Sequence, residues 1–366
     1  MKIALVHDYL CNLGGSERVF QYICEAYPQA DIYTLAYNPI KTYPFFLSKK
    51  IHTTFLNCLV RNGRSFKFSF PLATYAMQNI NLSKYDLVIS SSATIAKYIK
   101  TNGIHICYCY IPTRAIWQFD EYFSKNFIKK ILKPIIKFLK KRDYNAAQRI
   151  DYFIAISKVT QEHIKETYKR QSKVIFSPIE TEKFYSSKQR SNNFLIISRL
   201  EYWKKIDYAI EAFNQLDLPL KIIGDGPERK KLQAMAKKNI SFLGSVNDAT
   251  LAKEYSKCKA VIFTPYLEYG LIPLEANASG TPVICYGKGG VLETMIPVDN
   301  NENKKATAVF FYEQNPQAIV KAINKFQEYQ FDPNYLISHA SEWNVTTFKK
   351  KLISYVDSIC EQKNEP

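Results

Sequence analysis

Lys2-Ile3-Ala4-Leu5-Val6-His7, followed after a short interval by Asn12-Leu13-Gly14-Gly15-Ser16-Glu17-Arg18-Val19, is the stretch on which the fold turns. A buried apolar strand, a glycine turn and then a helix start form the opening of a doubly wound α/β domain. Working outward, short apolar runs recur at Asp31-Ile-Tyr-Thr-Leu35, Asp86-Leu-Val-Ile-Ser90, Ile104-His-Ile-Cys-Tyr108 and Tyr152-Phe-Ile-Ala-Ile156, with helical patterns between them. Such alternation predicts a parallel sheet covered on both faces. A second series begins after the polar segment Ser186–Ser191, which reads as a linker. Its strands are predicted at 193–198, 220–224, 241–244, 260–264 and 282–285. Its helices are predicted over Asp207–Gln215, Glu228–Lys238, Asp248–Cys258 and Leu274–Ser279. The expected fold class is therefore α/β, two Rossmann-like domains over 1–185 and 192–345. A closing helix over 346–361 has Phe348, Leu352, Ile353, Val356 and Ile359 at helical spacing, and is available to pack back on the first domain. Open α/β sheets bind ligands at the carboxyl ends of their strands. The expected active site is a central cleft onto which both domains face.

Length and composition agree. A chain of 366 residues, 46% hydrophobic, exceeds what one core comfortably organises. The opening apolar run is too short for a secretory signal, and no uncharged stretch is apolar enough to span a bilayer, so a cytoplasmic location is expected. The eight cysteines are scattered and form no metal-binding cluster; small buried thiols are the expectation. The net charge of +17 is uneven: residues 1–190 hold 29 Lys and Arg against 13 Asp and Glu, residues 191–366 hold 21 against 20. Excess charge on one half points to an anionic partner of that half.

The most informative motif is Pro265-Tyr-Leu267-Glu268-Tyr269-Gly270-Leu271-Ile-Pro-Leu274-Glu275-Ala276, followed by Ser279-Gly280-Thr281-Pro282-Val283. It stands in order with Ser198-Arg199-Leu200 and Lys204, Gly224-Asp225-Gly226-Pro227, and Gly289-Gly290 with Glu293. The first half adds His7-Asp8-Tyr9 before Gly14-Gly15, Tyr85-Asp86-Leu-Val-Ile-Ser90, and Tyr110-Ile-Pro112-Thr-Arg114-Ala-Ile-Trp117. Together these resemble the retaining GT-B glycosyltransferases of family 4, in their mannosyltransferase-like branch. The resemblance covers nearly the whole chain, more weakly in its first half. It implies transfer of a hexose, mannose being the sugar suggested, from a nucleotide-diphosphate donor with retention of anomeric configuration. It further implies a lipid-linked saccharide acceptor, in bacterial surface polysaccharide synthesis at the inner face of the cytoplasmic membrane, and no cofactor or metal.

The chemistry of the residues supports this reading. A nucleoside diphosphate gains negative charge as it leaves and needs fixed positive partners. Arg199 and Lys204, five apart after a strand, can both face it, a guanidinium clamp and a lysine point charge in place of a divalent cation. Taken alone, the pair also fits a solvated strand end. Backbone N–H groups of Gly14-Gly15 and Gly289-Gly290 can approach phosphate or sugar. Gly224, Gly226 and Leu243 are expected around the base, and Gly270 and Leu271 on the donor. Glu275 is expected to open a helix, and the resemblance assigns it the donor ribose hydroxyls. The family separates its two glutamates by seven residues, whereas six lie between Glu268 and Glu275, so the first family glutamate falls on Leu267. Either the loop is re-registered so that Glu268 reaches the sugar, or sugar recognition differs. Where many relatives carry a histidine this chain has Tyr110, a poor general base. Tyr110 and Arg114 are placed on the acceptor or sugar side, and Asp8 beside the glycine turn can bind an acceptor hydroxyl. His7 and His105 read as structural.

Residues 124–142 carry eight basic residues and no acid. Their apolar positions fall on one helical face with lysines opposite, a pattern of membrane-surface helices on anionic lipid. Lys129, Lys130, Lys137, Lys140 and Lys141 are the expected lipid contacts. A helix packed on the core with a solvated charged face is the other reading. Arg61, Arg64 and Lys67, interleaved with Phe66, Phe68 and Phe70, form a second basic-aromatic patch. Two further functions are open on residues alone. A nucleic-acid binder would explain the charge but lacks any recognition motif, so nucleic acid is not an expected partner. A sugar-nucleotide-binding pseudoenzyme would explain Leu267 and Tyr110.

Overall fold

The computed structural model describes residues 1–60, 70–119, 126–300 and 305–364, and within these the side chains of all but 60, 126–132, 134, 300, 363 and 364. The chain divides into two compact units, Met1–Ser177 with Phe348–Pro366, and Pro178–Thr347.

The first unit contains a seven-stranded sheet: β1 (Ile3–His7), β2 (Asp31–Thr34), β3 (Ile51–Thr53), β4 (Leu87–Ser92), β5 (Ile104–Cys109), β6 (Tyr152–Ala155) and β7 (Ser172–Val174). Its order is β3-β2-β1-β4-β5-β6-β7, every pair parallel. Strands buried on both faces favour apolar residues, which is why Ile3–Val6 and Leu87–Ile89 read as hydrophobic runs; the buried Ser90 and Ser91 that follow are paired with His105 and His7. The described helices are α1 (Gly15–Ala26), α2 (Asn57–Val60), α3 (Phe70–Gln78), α4 (Arg114–Trp117), α5 (Asn126–Gln148) and α6 (Lys158–Tyr168). Ser157 caps α6 by accepting from the Thr160 N–H.

The second unit holds a six-stranded parallel sheet of β8 (Phe194–Ile197), β9 (Leu220–Ile223), β10 (Ile240–Gly244), β11 (Val261–Phe263), β12 (Val283–Tyr286) and β13 (Ala308–Phe311), ordered β10-β9-β8-β11-β12-β13. Its helices are α7 (Ile206–Leu216), α8 (Arg229–Met235), α9 (Asp248–Lys257), α10 (Leu271–Ala278), α11 (Val291–Thr294), α12 (Pro316–Gln327) and α13 (Pro333–Ser341). Asn247, Asn315 and Asp332 cap α9, α12 and α13, the last two ahead of a proline in the first turn.

Two boundaries differ from the sequence reading. The expected linker Ser186–Ser191 is stapled to the second unit: Arg190 donates to the Thr281 hydroxyl (2.7 Å) and to the carbonyls of Gly280 (2.5 Å) and Cys258 (3.2 Å). The division falls instead at Ser177/Pro178. The closing helix, α14 (Val345–Asn364), does return to the first unit from Phe348 onward. Phe348, Leu352, Val356 and Ile359 are buried, Phe348 stands edge-on to Tyr108 at 5.8 Å, and Lys349 pairs with Glu25. The expected patch at Arg61, Arg64, Phe66, Lys67 and Phe68 lies outside the described residues.

Candidate functional site

In the second sheet β8 is laid down first; β9 and β10 then extend to one side and β11 to β13 to the other. The carboxyl ends of β8 and β11 therefore form the switch point where open α/β sheets bind ligands. Five loops meet along this edge, and their glycines are there for packing. Gly224 holds φ +125°, and a Cβ on it would lie 1.9 Å from the Ser198 carbonyl oxygen; one on Gly226 would lie 2.5 Å from that of Leu200. The loop after β9 thus presses main chain to main chain on Ser198-Arg199-Leu200, helped by Leu200 N–H donating to the Asp225 carbonyl at 3.0 Å. Farther along, a Cβ on Gly289 (φ +80°) would meet the Leu267 carbonyl at 2.4 Å, and one on Gly290 that of Glu268 at 2.3 Å.

These glycines spend their own N–H groups inside the protein. Gly224 donates to the Gly244 carbonyl (2.8 Å), Gly226 to Asp225 Oδ1 (2.8 Å) and Gly290 to the Leu267 carbonyl (2.9 Å). The expectation that Gly290 approaches phosphate or sugar through its backbone N–H is therefore corrected, and Gly224 and Gly226, expected around the base, have their N–H groups already engaged. All three, together with Gly289, set loop shape instead.

What the loops present is positive. Arg199 is exposed and forms no ion pair among the described residues. Lys204 ends a short 3-10 turn; its ammonium lies 4.2 Å over the Trp203 ring and its carbonyl accepts from the Thr264 hydroxyl at 2.6 Å, tying the β8 loop to the end of β11. Asp225 is neutralised within its own loop by Arg229 at 3.0 Å. Gly270 stands at the N-cap of α10, whose first turn has neither an acid nor a side-chain cap. That helix begins at Leu271, so Glu275 lies in its second turn and does not open it as expected. Tyr255, fully buried on α9, donates to Glu275 Oε2 at 2.7 Å and fixes the carboxylate. Sequence reasoning missed Tyr255. In the loop between, Glu268 is buried and Leu267 is half-exposed. Leu243 is exposed at the end of β10.

The first sheet also has a switch point, between β1 and β4, and it is closed. The buried Asp8 carboxylate accepts from four consecutive N–H groups: Oδ2 from Ala93 (2.7 Å) and Thr94 (2.9 Å), Oδ1 from Ile95 (2.8 Å) and Ala96 (2.6 Å). The expectation that Asp8 binds an acceptor hydroxyl is corrected: its oxygens already anchor the loop after β4. Gly14 and Gly15 open α1, yet the buried Glu17 carboxylate folds back over Gly14, where a Cβ would lie 2.4 Å from Oε2. A carboxylate in the first turn complements the helix dipole and repels a second anion. The phosphate expected at Gly14-Gly15 therefore meets a site occupied from within.

Tyr110 donates to the Ser16 carbonyl at 2.9 Å and shares a hydrogen bond of 2.9 Å with Ser91, which lies 3.0 Å from His7 Nδ1. Burial, with Tyr108 beside it, pushes the Tyr110 phenol well above its ordinary range. Burial likewise lowers His7 to about 4, against the opposing pull of Asp8, and His105 to about 3. Both imidazoles are neutral near pH 7. Arg114 is half-buried at the first position of α4. Just behind it lies a cluster the sequence reading missed. Asp143 accepts from Tyr98 (2.7 Å), Trp117 Nε1 (2.7 Å) and Tyr168 (2.6 Å) and pairs with the buried Lys97 at 3.1 Å. Lys97 also donates to Thr113, the N-cap of α4, at 2.6 Å. One signal was available: Asp143 is the first acid after eight basic residues.

Of the lysines assigned to lipid, Lys137 and Lys141 are exposed, while Lys140 lies 5.4 Å over the Trp117 ring. The side chains of Lys129 and Lys130 lie outside the described residues. No helix among the described residues is long and apolar enough to cross a membrane.

Residues 178–343 match the family model of glycosyl transferases group 1. An uncharacterized glycosyltransferase of Methanocaldococcus jannaschii is 28% identical over 158 residues, 40% of this chain and 39% of that protein. The O-antigen chain mannosyltransferase RfbU of Salmonella typhimurium is 26% identical over 232 residues, 58% of this chain and 63% of its own length. The matches thus span from about two fifths to just under two thirds of these relatives. Among solved structures, Anabaena HepE in complex with UDP superposes with a TM-score of 0.72 at 18% identity, covering 98% of this chain and all of that one. That likeness establishes the fold.

Proposed function

From the match of residues 178–343 to the glycosyl transferases group 1 model and from the GT-B fold, we propose that this chain is a glycosyltransferase that moves a hexose from a nucleotide-diphosphate sugar to a lipid-linked saccharide, with retention and without a metal. The observation that carries this is the switch point of the second sheet, where Arg199 and Lys204 stand with no carboxylate in the first turn of α10. As the sugar–phosphate bond breaks, the guanidinium and ammonium take up the charge that develops on the leaving diphosphate, the work a divalent cation does elsewhere. Glu275, fixed by Tyr255, accepts from the ribose hydroxyls, and Leu243 borders the base. Tyr110 is held as a neutral donor and supplies no base, consistent with a same-face route that needs none.

The mannosyl donor is supported by the name of the Salmonella relative, and nucleotide-sugar binding by the UDP held in the Anabaena structure. A lipid-linked acceptor at the inner face of the cytoplasmic membrane accords with the basic first half. The test is turnover of GDP-mannose and UDP-glucose with EDTA present, with the anomeric configuration of the product read by NMR. Retained configuration and indifference to EDTA are expected. Nucleotide binding without turnover on any acceptor would instead make the protein a pseudoenzyme, the reading that the buried Glu268 and the half-exposed Leu267 favour.

A further inference from the structure

The sequence of helix α5 fits both a core helix with a solvated charged face and a membrane-surface helix. Its apolar positions decide between them. Leu139 is 8% exposed and packs inward, as a core helix requires. Ile135 and Phe138, on the same apolar face, remain 48% and 59% exposed. The core uses only part of the face. Beside it lies α3, which has no charged residue, and there Leu72 and Tyr75 stand 45% and 56% exposed. Arg142 joins the two helices, donating to the Thr74 hydroxyl at 3.1 Å while its guanidinium lies 5.8 Å over the Phe138 ring. Across the helix from Ile135, Lys133, Lys137 and Lys141 follow at four-residue steps, all exposed, along one stripe of α5 that approaches Phe138 at Lys141.

We propose that the face shared by α3 and α5 docks the protein on an anionic lipid bilayer, its four apolar side chains entering the headgroup region and its lysine stripe meeting the headgroup charge. Exposed apolar groups of this size bordered by one sign of charge fit a bilayer surface, which offers hydrocarbon and anion at adjacent depths. The stretch 124–142 has no acid to repel that charge. The inference rests on the reading that the acceptor is lipid-linked. It adds that apolar insertion by two helices, and not the charge of α5 alone, holds the protein there. Lys133 belongs to the surface although the sequence did not single it out, and Lys140, engaged by Trp117, does not.

The test is co-sedimentation of the full chain with phosphatidylcholine vesicles, with and without phosphatidylglycerol. Wild type is expected to bind the anionic vesicles, and Ile135→Ser with Phe138→Ser to lower the partition coefficient about tenfold or more. Replacing Lys133, Lys137 and Lys141 by Gln should remove the salt-sensitive part, about fivefold for each lysine. In a Phe138→Trp variant the new emission should be quenched by brominated lipid, a readout independent of the double variant's folding. Absence of vesicle binding, or undiminished binding by the double serine variant, overturns the proposal. So does concentration-dependent dimerisation that this variant abolishes, since the face would then belong to a second copy. Turnover on a water-soluble acceptor separates the two readings. Activity without vesicle binding removes the docking surface and leaves the transferase, and vesicle binding without activity does the reverse.

Discussion

The two sheets are built alike, yet their switch points are electrical opposites. Between β1 and β4 the loop offers four converging N–H groups, an arrangement suited to an anion, and the chain fills it with Asp8. At the start of α1 it adds the buried Glu17. Between β8 and β11 the equivalent edge has Arg199 and Lys204 and leaves the first turn of α10 without an acid. One unit has internalised its anion and gained rigidity; the other carries Arg199 and Lys204 at the edge where the leaving diphosphate is proposed to sit. The nucleotide recognition proposed above therefore falls to the second unit, although the first carries most of the excess positive charge.

Replacing the internal anion is the severest way to break this contrast. Asp8→Ala strands four donors and should cost about 3 kcal/mol or more of stability in urea unfolding. Unchanged stability would mean that the crevice is not sealed by the carboxylate. Next in size, Arg199→Ala and Lys204→Ala should each lower turnover more than tenfold while the melting temperature holds. Wild-type rates in both would remove the charge-stabilising role. A pH series sharpens the comparison further. His7 and His105 ordinarily titrate near 6.5 and are held down to about 4 and about 3 by burial. The unfolded chain therefore binds protons that the fold refuses, and their contribution, complete above pH 6.5, is lost as pH falls toward 4. The melting temperature should drop by several degrees between pH 7 and pH 5, and a flat profile would contradict the buried, neutral assignment. The smallest effect is expected at the second site's support. Tyr255→Phe removes one hydrogen bond from Glu275 and should raise the donor KM a few-fold with kcat nearly unchanged.

The sequence displays the central strands because burial on both faces favours apolar runs, as in Leu87–Ile89 and Phe194–Ile197. It hides β3 and β7, three-residue strands at the sheet edges where one partner suffices. Arg199, Lys204 and the glycines are legible because their types and spacing are constrained. Their division of labour is not, since whether a glycine N–H faces a ligand or a neighbouring carbonyl depends on loops tens of residues away. Asp8 shows the same limit. A carboxylate beside a glycine turn reads as a ligand contact until the backbone of 93–96 is seen to converge on it. Tyr255 and the Asp143 cluster depend on side chains distant in sequence, which no local pattern announces.

The return of α14 sets an order on the birth of the molecule. A domain made of the first part of a chain ordinarily closes while the rest is still being synthesised. Here the first unit lacks Phe348, Leu352, Val356 and Ile359 until residues 348–359 have left the ribosome, whereas the second is complete once Thr347 has emerged. The half proposed to bind the nucleotide is thus free to mature first, and the half proposed to meet the membrane is finished only after it.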